Sequence, residues 1–320
     1  MQHIHDSDQK PVALIVGVIG MAGLSLAEAL KSPTALNGPW KVYGSARRSK
    51  PTWFPSSSVA LDHYITFDAA DTREKLSPIS GEVREAEEDN VKINEAMLGN
   101  VLSVFKSAPA SLYEQAHSAQ LVAHDPPFHL VASHAPSLSY SVHRSSIIVG
   151  ASPGSVYNAL LTLAVYAIIC RHECSPFRSL GTRYTWDHFC DMSDARVLAQ
   201  QHIWAAVTAQ CKNQAFNCTN GDVFTWKSLW KVLCDIFDLE FLPFDENDEF
   251  DFVGMMKNKG KVWVDIVEKY GLHKTKLEEI TCFEALNNVL HFGFQHVSSM
   301  NKSREFGFFG YSDTLKSIGM

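Results

Sequence analysis

Val12-Ala13-Leu14-Ile15-Val16 runs without a polar interruption into Gly17-Val18-Ile19-Gly20-Met21-Ala22-Gly23, and this junction restricts the fold more than any other stretch of the chain. A short aliphatic run of this kind reads as a strand buried on both faces. Residues 24–30 then place apolar groups on one side of a helix that stops around Ser32-Pro33. Between strand and helix, the G-x-x-G-x-x-G spacing has a mechanical meaning. The early glycines permit a tight turn and close approach of a pyrophosphate to backbone N–H groups at the helix start, and the last lets helix and strand pack closely. The competing reading is a structural glycine-rich turn. The strand-turn-helix setting favours a dinucleotide, with Gly17, Gly20, Met21, Ala22 and Gly23 at its phosphates.

Trp40 to Ala46 reads as a second strand and Tyr64 to Phe67 as a third. Strand, helix, strand, strand at these spacings opens an α/β fold of the Rossmann type, a doubly wound parallel sheet. Where an NAD-selective protein usually carries an acid for the ribose hydroxyl, this chain has Arg47-Arg48. Paired guanidiniums suit a 2'-phosphate through charge-assisted hydrogen bonds, so NADPH/NADP+ is the expected cofactor. Phe67 and Asp68, ending the third strand, fall where an adenine edge is expected.

Further on, Gly81 to Phe105 has an acidic start and a helical apolar face, the stretch beyond it is weakly patterned, and Tyr140 to Val149 reads as a strand. Helices are predicted at 155–170, 195–209, 226–237, 262–269 and 283–292. The expected division is a dinucleotide-binding domain over 1–155 and a mainly helical substrate-cap region over 156–320, with segments returning to the first domain.

A net charge of -7 argues against nucleic acid or an anionic membrane surface as the main partner. The longest apolar run, Ala159 to Cys170, falls short of the ~20 residues that cross a bilayer. Seven cysteines fit reduced thiols, and with the polar stretch Met1 to Lys10 they suggest a cytoplasmic protein. Cys170, His172, Cys174, His188 and Cys190 lack zinc-knuckle spacing, so no metal is expected.

With these residues in place, the chain resembles the plant progesterone 5-beta-reductase and iridoid synthase family of extended short-chain dehydrogenases. The resemblance rests on residues 13–23, Gly38 to Gly44 with Ala46-Arg47-Arg48, His124 to Phe128, Ser141 to Arg144, His202 to Ala206, the Asn220-Gly221-Asp222-Val223-Phe224 core and Ser299 to Ser303. It implies NADPH-dependent reduction of small hydrophobic enones such as 3-oxo-4-ene steroids and 8-oxogeranial. It implies a homodimer as well, and places Ser146 and Ile147 in the loop at the nicotinamide.

The chain also departs from that family. The family's fourth strand, the lysine-bearing segment after its fifth, and the tyrosine-bearing helix have no counterpart between Leu76 and Ser139. The sheet is therefore expected to lack central strands, unless the strand at Tyr140 slides inward or part of 121–131 substitutes. No residue matches the catalytic tyrosine or lysine, which leaves Tyr113 as the candidate stand-in, ahead of Tyr140 and the pair Tyr270 and Lys274. The alternative function is a catalytically inactive NADP(H)-binding or interaction protein, or a truncated family member.

Overall fold

The computed structural model describes residues 10–54, 61–68, 120–123, 139–153, 155–246 and 250–319. In chain order, strand β1 (Val12–Val16) leads through the glycine turn to helix α1 (Met21–Lys31), followed by β2 (Lys41–Ala46) and β3 (His63–Thr66). Then come β4 (Gln120–Ala123), β5 (Ser139–Ser145) and β6 (Ile147–Val149). Helices α2 (Ala159–Glu173) and α3 (Arg183–Asp187) precede β7 (Phe189–Cys190), β8 (Met192–Asp194), α4 (Ala195–Val207) and β9 (Gln214–Cys218). Strand β10 (Phe224–Thr225) opens α5 (Trp226–Phe237). Short helices follow: α6 (Phe252–Lys257), α7 (Gly260–Tyr270), α8 (Leu277–Ile280), α9 (Phe283–Leu290), α10 (Asn301–Glu305) and α11 (Thr314–Gly319).

The chain divides into two compact units. The first comprises Met1–Val18, Leu26–Arg144 and Ala199–Phe216. In it β1, β2 and β3 form a parallel sheet in that order, with Val12 opposite Lys41 and Tyr43 opposite His63. A second sheet has the order β4-β5-β9, with β4 and β5 parallel. Strand β4 thus falls in the weakly patterned stretch, but it pairs with β5. Among the described residues no strand pairs with the other edge of β1.

Side-chain exposure, in turn, corrects the reading of β1 as a strand buried on both faces. Alternate residues point to opposite sides, and Ile15 is buried while Val12, Leu14 and Val16 stand 61%, 50% and 40% exposed. The strand expected over 140–149 also divides. At Ser146 the amide donates to Ser193 Oγ (2.8 Å) and the hydroxyl to the Asp191 carbonyl (2.9 Å). These bonds draw the backbone off the β5 ladder, and Ile147–Val149 pairs with Met192–Asp194 of β8 instead. The helix expected over 81–105 lies outside the described residues.

The second unit, Ile19–Ser25, Ser145–Leu198 and Asn217–Met320, holds the larger core. Helix α2 is apolar nearly all round, as a helix surrounded by packing must be, and buries Leu163, Tyr166 and Ile169. Asn158 fixes its start by accepting from the Leu161 amide and donating to the Gly150 carbonyl (2.9 Å). Helix α5 begins with a Thr225–Ser228 capping box and buries Trp226, Leu229, Trp230 and Leu233 on one face. Trp230 stacks on Phe177 with ring centroids 4.8 Å apart. Each of these large side chains contributes roughly 1.5–3 kcal/mol through burial. Among the described residues no helix is long and apolar enough to cross a membrane.

Candidate functional site

The glycine turn has the geometry that its spacing predicts. Gly17 sits at φ +85°, where an L side chain is strained, and beyond its chain neighbours no atom of the described residues lies within 4 Å of the place a Cβ would occupy. The Gly17 and Val18 amides both donate to the Ser45 carbonyl (2.8 and 3.0 Å), tying the turn to the end of β2. The Leu24 amide donates to the Gly20 carbonyl, so the helical ladder begins there and leaves the Met21, Ala22 and Gly23 amides without an intrahelical acceptor. This open, donor-bearing turn fits a pyrophosphate.

At the end of β2, Arg47 and Arg48 are exposed, and among the described residues neither makes an ion pair. Tyr64 holds the backbone there, its hydroxyl donating to the Arg48 carbonyl (2.8 Å). The Phe67 amide donates to the Ala46 carbonyl, which keeps Phe67 and Asp68 beside the end of β2. Arg47, Arg48, Phe67 and Asp68 therefore gather at the carboxyl ends of two adjacent parallel strands. Open α/β sheets bind ligands at such ends.

In the second unit a shallow cleft with a cavity volume of about 10 Å³, room for roughly one water, is lined largely by aromatic rings, among them Tyr184, Phe189, Trp226, Phe292 and Phe294, together with Ile147 and His296. Phe292, Phe294 and His296 follow one another at intervals of two in the segment after α9. The Phe292 ring lies 4.9 Å from Phe294 and 5.6 Å from His296, centroid to centroid. Tyr184 stacks on His188 at 3.8 Å.

His296 is held at the cleft by several contacts. Its carbonyl accepts from the Asp191 amide (2.9 Å), its Nδ1 lies 3.0 Å from Ser146 Oγ, and the same Nδ1 lies 3.8 Å from Asp191 Oδ1. The Ser146 hydroxyl also donates to the Asp191 main-chain carbonyl (2.9 Å). Asp191 is 1% exposed, and although Oδ2 accepts from the Ser298 amide, Oδ1 has no hydrogen-bond partner among the described residues. Burial pushes the Asp191 carboxyl above the ordinary carboxylate range, against the pull of the Ser146 hydroxyl, the Ser298 amide and His296.

Of the residues named from sequence, Ser146 and Ile147 meet at this cleft, Ser146 through His296 and Ile147 in the lining. Tyr113 lies outside the described residues. Tyr140 lies in β5 and Tyr270 is exposed at the end of α7. Sequence reasoning passed over Asp191 and His296; the signal was the aromatic alternation from Phe292 to His296, period two in a region read as helical.

The parallel sheet and the glycine turn at the head of α1 define a Rossmann-type α/β protein. Solved structures agree on the fold: UDP-glucose 4-epimerase from Thermotoga maritima superimposes with a TM-score of 0.57 at 11% identity, covering 96% of both chains. Bordetella bronchiseptica WbmH in complex with NAD+ gives a TM-score of 0.52 at 11% identity, covering 97% of this chain and 96% of its own. No family model matches the chain. An (S)-8-oxocitronellyl enol synthase from Camptotheca acuminata is 38% identical over 354 aligned positions, 97% of this chain and 90% of its own. The 3-oxo-Delta(4,5)-steroid 5-beta-reductase of Arabidopsis thaliana is 38% identical over 96% of this chain and 89% of its own. The protein belongs to the family of these enol synthases and steroid 5-beta-reductases. An alignment of 354 positions exceeds the 320 residues available, so the Camptotheca relative carries internal residues with no counterpart here.

Proposed function

We propose that this protein reduces the carbon–carbon double bond of small hydrophobic enones, with NADPH as its cofactor. The observation that carries this reading is the 38% identity, across nearly the whole chain, to relatives named for making an 8-oxocitronellyl enol and for 5-beta reduction of a 3-oxo-Delta(4,5)-steroid. When bound, the cofactor supplies the hydride that the β carbon receives. Gly17, Gly20, Met21, Ala22 and Gly23 take the pyrophosphate, Arg47 and Arg48 the 2'-phosphate, Phe67 and Asp68 the adenine, and Ser146 and Ile147 the nicotinamide side. The open turn at Gly17, and guanidiniums that make no ion pair among the described residues, support the first two assignments.

The enone takes the hydride at its β carbon. Negative charge then develops on the carbonyl oxygen, so a donor aimed at that oxygen is the most valuable group in the site. In this reading residues 1–155 would serve cofactor binding and 156–320 the mainly helical cap region, with segments returning to the first domain, as 199–216 do in the first compact unit. The cytoplasmic location and homodimeric state implied by the resemblance belong to the same reading.

The internal residues missing relative to the Camptotheca enzyme favour a second reading, a cofactor-binding protein without turnover. Monodisperse protein assayed for NADPH consumption with progesterone, 8-oxogeranial and 2-cyclohexen-1-one separates the two. Consumption with any of the three supports the reductase. Protein that binds NADPH, seen as a change in its fluorescence, yet consumes none with any enone supports the second reading.

A further inference from the structure

We propose that β1 is the joining edge of a homodimer: two copies of the chain add Val12–Val16 to each other antiparallel, about a two-fold axis at Leu14, and so run their three-stranded sheets into one. The inference rests on the homodimeric state of the proposed function and names its surface, and it needs neither the cofactor nor the enone chemistry.

The hydrogen-bonding groups of the strand set the register. The Pro11 carbonyl accepts from the Lys41 amide and the Gly17 amide donates to the Ser45 carbonyl, so residues 11 and 17 turn these groups toward β2. Successive residues of a strand aim their N–H and C=O groups at alternate edges. Ala13 and Ile15 therefore serve β2 as well, and Val12, Leu14 and Val16 aim theirs at the other edge, where among the described residues no strand pairs. Outward groups centred on Leu14 are their own complement. In two antiparallel copies Leu14 faces its own counterpart and Val12 faces the counterpart of Val16, and each facing pair exchanges two backbone hydrogen bonds.

The side chains agree with the backbone. Val12, Leu14 and Val16 stand 61%, 50% and 40% exposed on one face of the sheet, and Ile65 of β3 continues that face at 45%. Joined about Leu14, these side chains meet apolar against apolar across the new strand pair. Chains that stay single guard such an edge with a charge, a proline or a bulge. Val12-Ala13-Leu14-Ile15-Val16 holds neither charge nor proline, and its register with β2 runs unbroken. In the doubly wound order a fourth strand lies along this side of the first, but here β4 pairs with β5. The two-fold axis uses the β1 edge of both copies at once, so growth through it stops at two chains. An edge of five residues is short for a permanent interface, so the dimer comes apart on dilution.

The test is sedimentation velocity of the full chain across a dilution series, with Leu14→Lys, Leu14→Glu and an equimolar mixture of the two, each variant checked for folding by circular dichroism. Position 14 meets itself at the axis, so like charges meet in either variant alone and opposite charges meet in the mixture. Wild type should pass from single-chain mass to twice that mass as concentration rises. Each variant alone should associate about tenfold more weakly or worse, and the mixture should recover the dimer. Wild type that stays at single-chain mass removes the homodimeric state and the interface together. A dimer that both variants leave at full strength keeps the state and overturns the interface. Growth beyond two chains overturns the two-fold pairing. NADPH consumption, the test of the reductase reading, is measured separately and is moved by none of these outcomes.

Discussion

The Gly17 amide donates to the Ser45 carbonyl at 2.8 Å, so the turn that opens toward α1 is anchored two residues before Arg47 on the neighbouring strand. One short stretch of backbone thus fixes both the phosphate-binding turn and the start of the arginine pair. Changing Arg47 and Arg48 together to alanine should leave NADH binding as it is and weaken NADPH binding roughly tenfold to a hundredfold, the loss expected for charge-assisted hydrogen bonds. Fluorescence titration with both cofactors checks this. An unchanged ratio of the two affinities removes these residues from the 2'-phosphate.

Gly181 should be the least replaceable glycine of the second unit. It sits at φ +90°, and a Cβ there would run into the Leu290 carbonyl oxygen at the end of α9. That oxygen is already held by the Thr185 hydroxyl at 2.6 Å and cannot easily move aside. Gly181→Ala should therefore destabilise the fold by about 2–4 kcal/mol. Gly293, with nothing within 4 Å, should accept alanine with little change. Urea denaturation of the two variants gives the comparison.

Two carboxylates three residues apart should respond to acid in opposite directions. Burial acts to raise Asp194, yet the Arg196 guanidinium and amide and the Ser317 hydroxyl outweigh it and hold the carboxyl below 3.8. A depressed folded value means stability that is present above the unfolded value and lost as pH falls through the folded one. Asp194→Asn should lower Tm at neutral pH and flatten its fall below pH 4. Asp191 is raised by burial, so its contribution is present in acid and lost as pH rises through the folded value. Asp191→Asn should narrow the difference in Tm between mildly acidic and neutral solution. Tm measured across pH for both variants decides each sign.

The order of elements was readable because local rules act alone there: an aliphatic run, a glycine turn and an amphipathic period each point to one structure. Helix α5 begins at Trp226 and ends at Phe237 where its apolar period does. The cleft was not readable in the same way. Ser146, Asp191 and His296 are brought together by the pairing of β6 with β8 and by an isolated bridge between Cys190 and His296, contacts that join residues up to 150 positions apart. No local period encodes such pairings, and the divided strand at Ser146 hid the turn that makes them.

The exposed face of β1 separates two neighbouring residues that a sequence reading treats alike. Leu14 is 50% exposed and Ile15 is 5% exposed, on opposite sides of the strand. Leu14 loses little contact when made polar, so Leu14→Gln should change stability by less than about 1 kcal/mol. Ile15→Ala removes buried methyl groups and leaves a cavity, which should cost about 2–5 kcal/mol. The same substitution at Leu14 should also reduce any tendency of the protein to self-associate, since an exposed apolar side chain on a strand that among the described residues has one unpaired edge favours the addition of other chains. Chemical denaturation and light scattering of both variants test this. Equal destabilisation by the two changes would mean that the outer face of β1 is covered, as the aliphatic run by itself suggested.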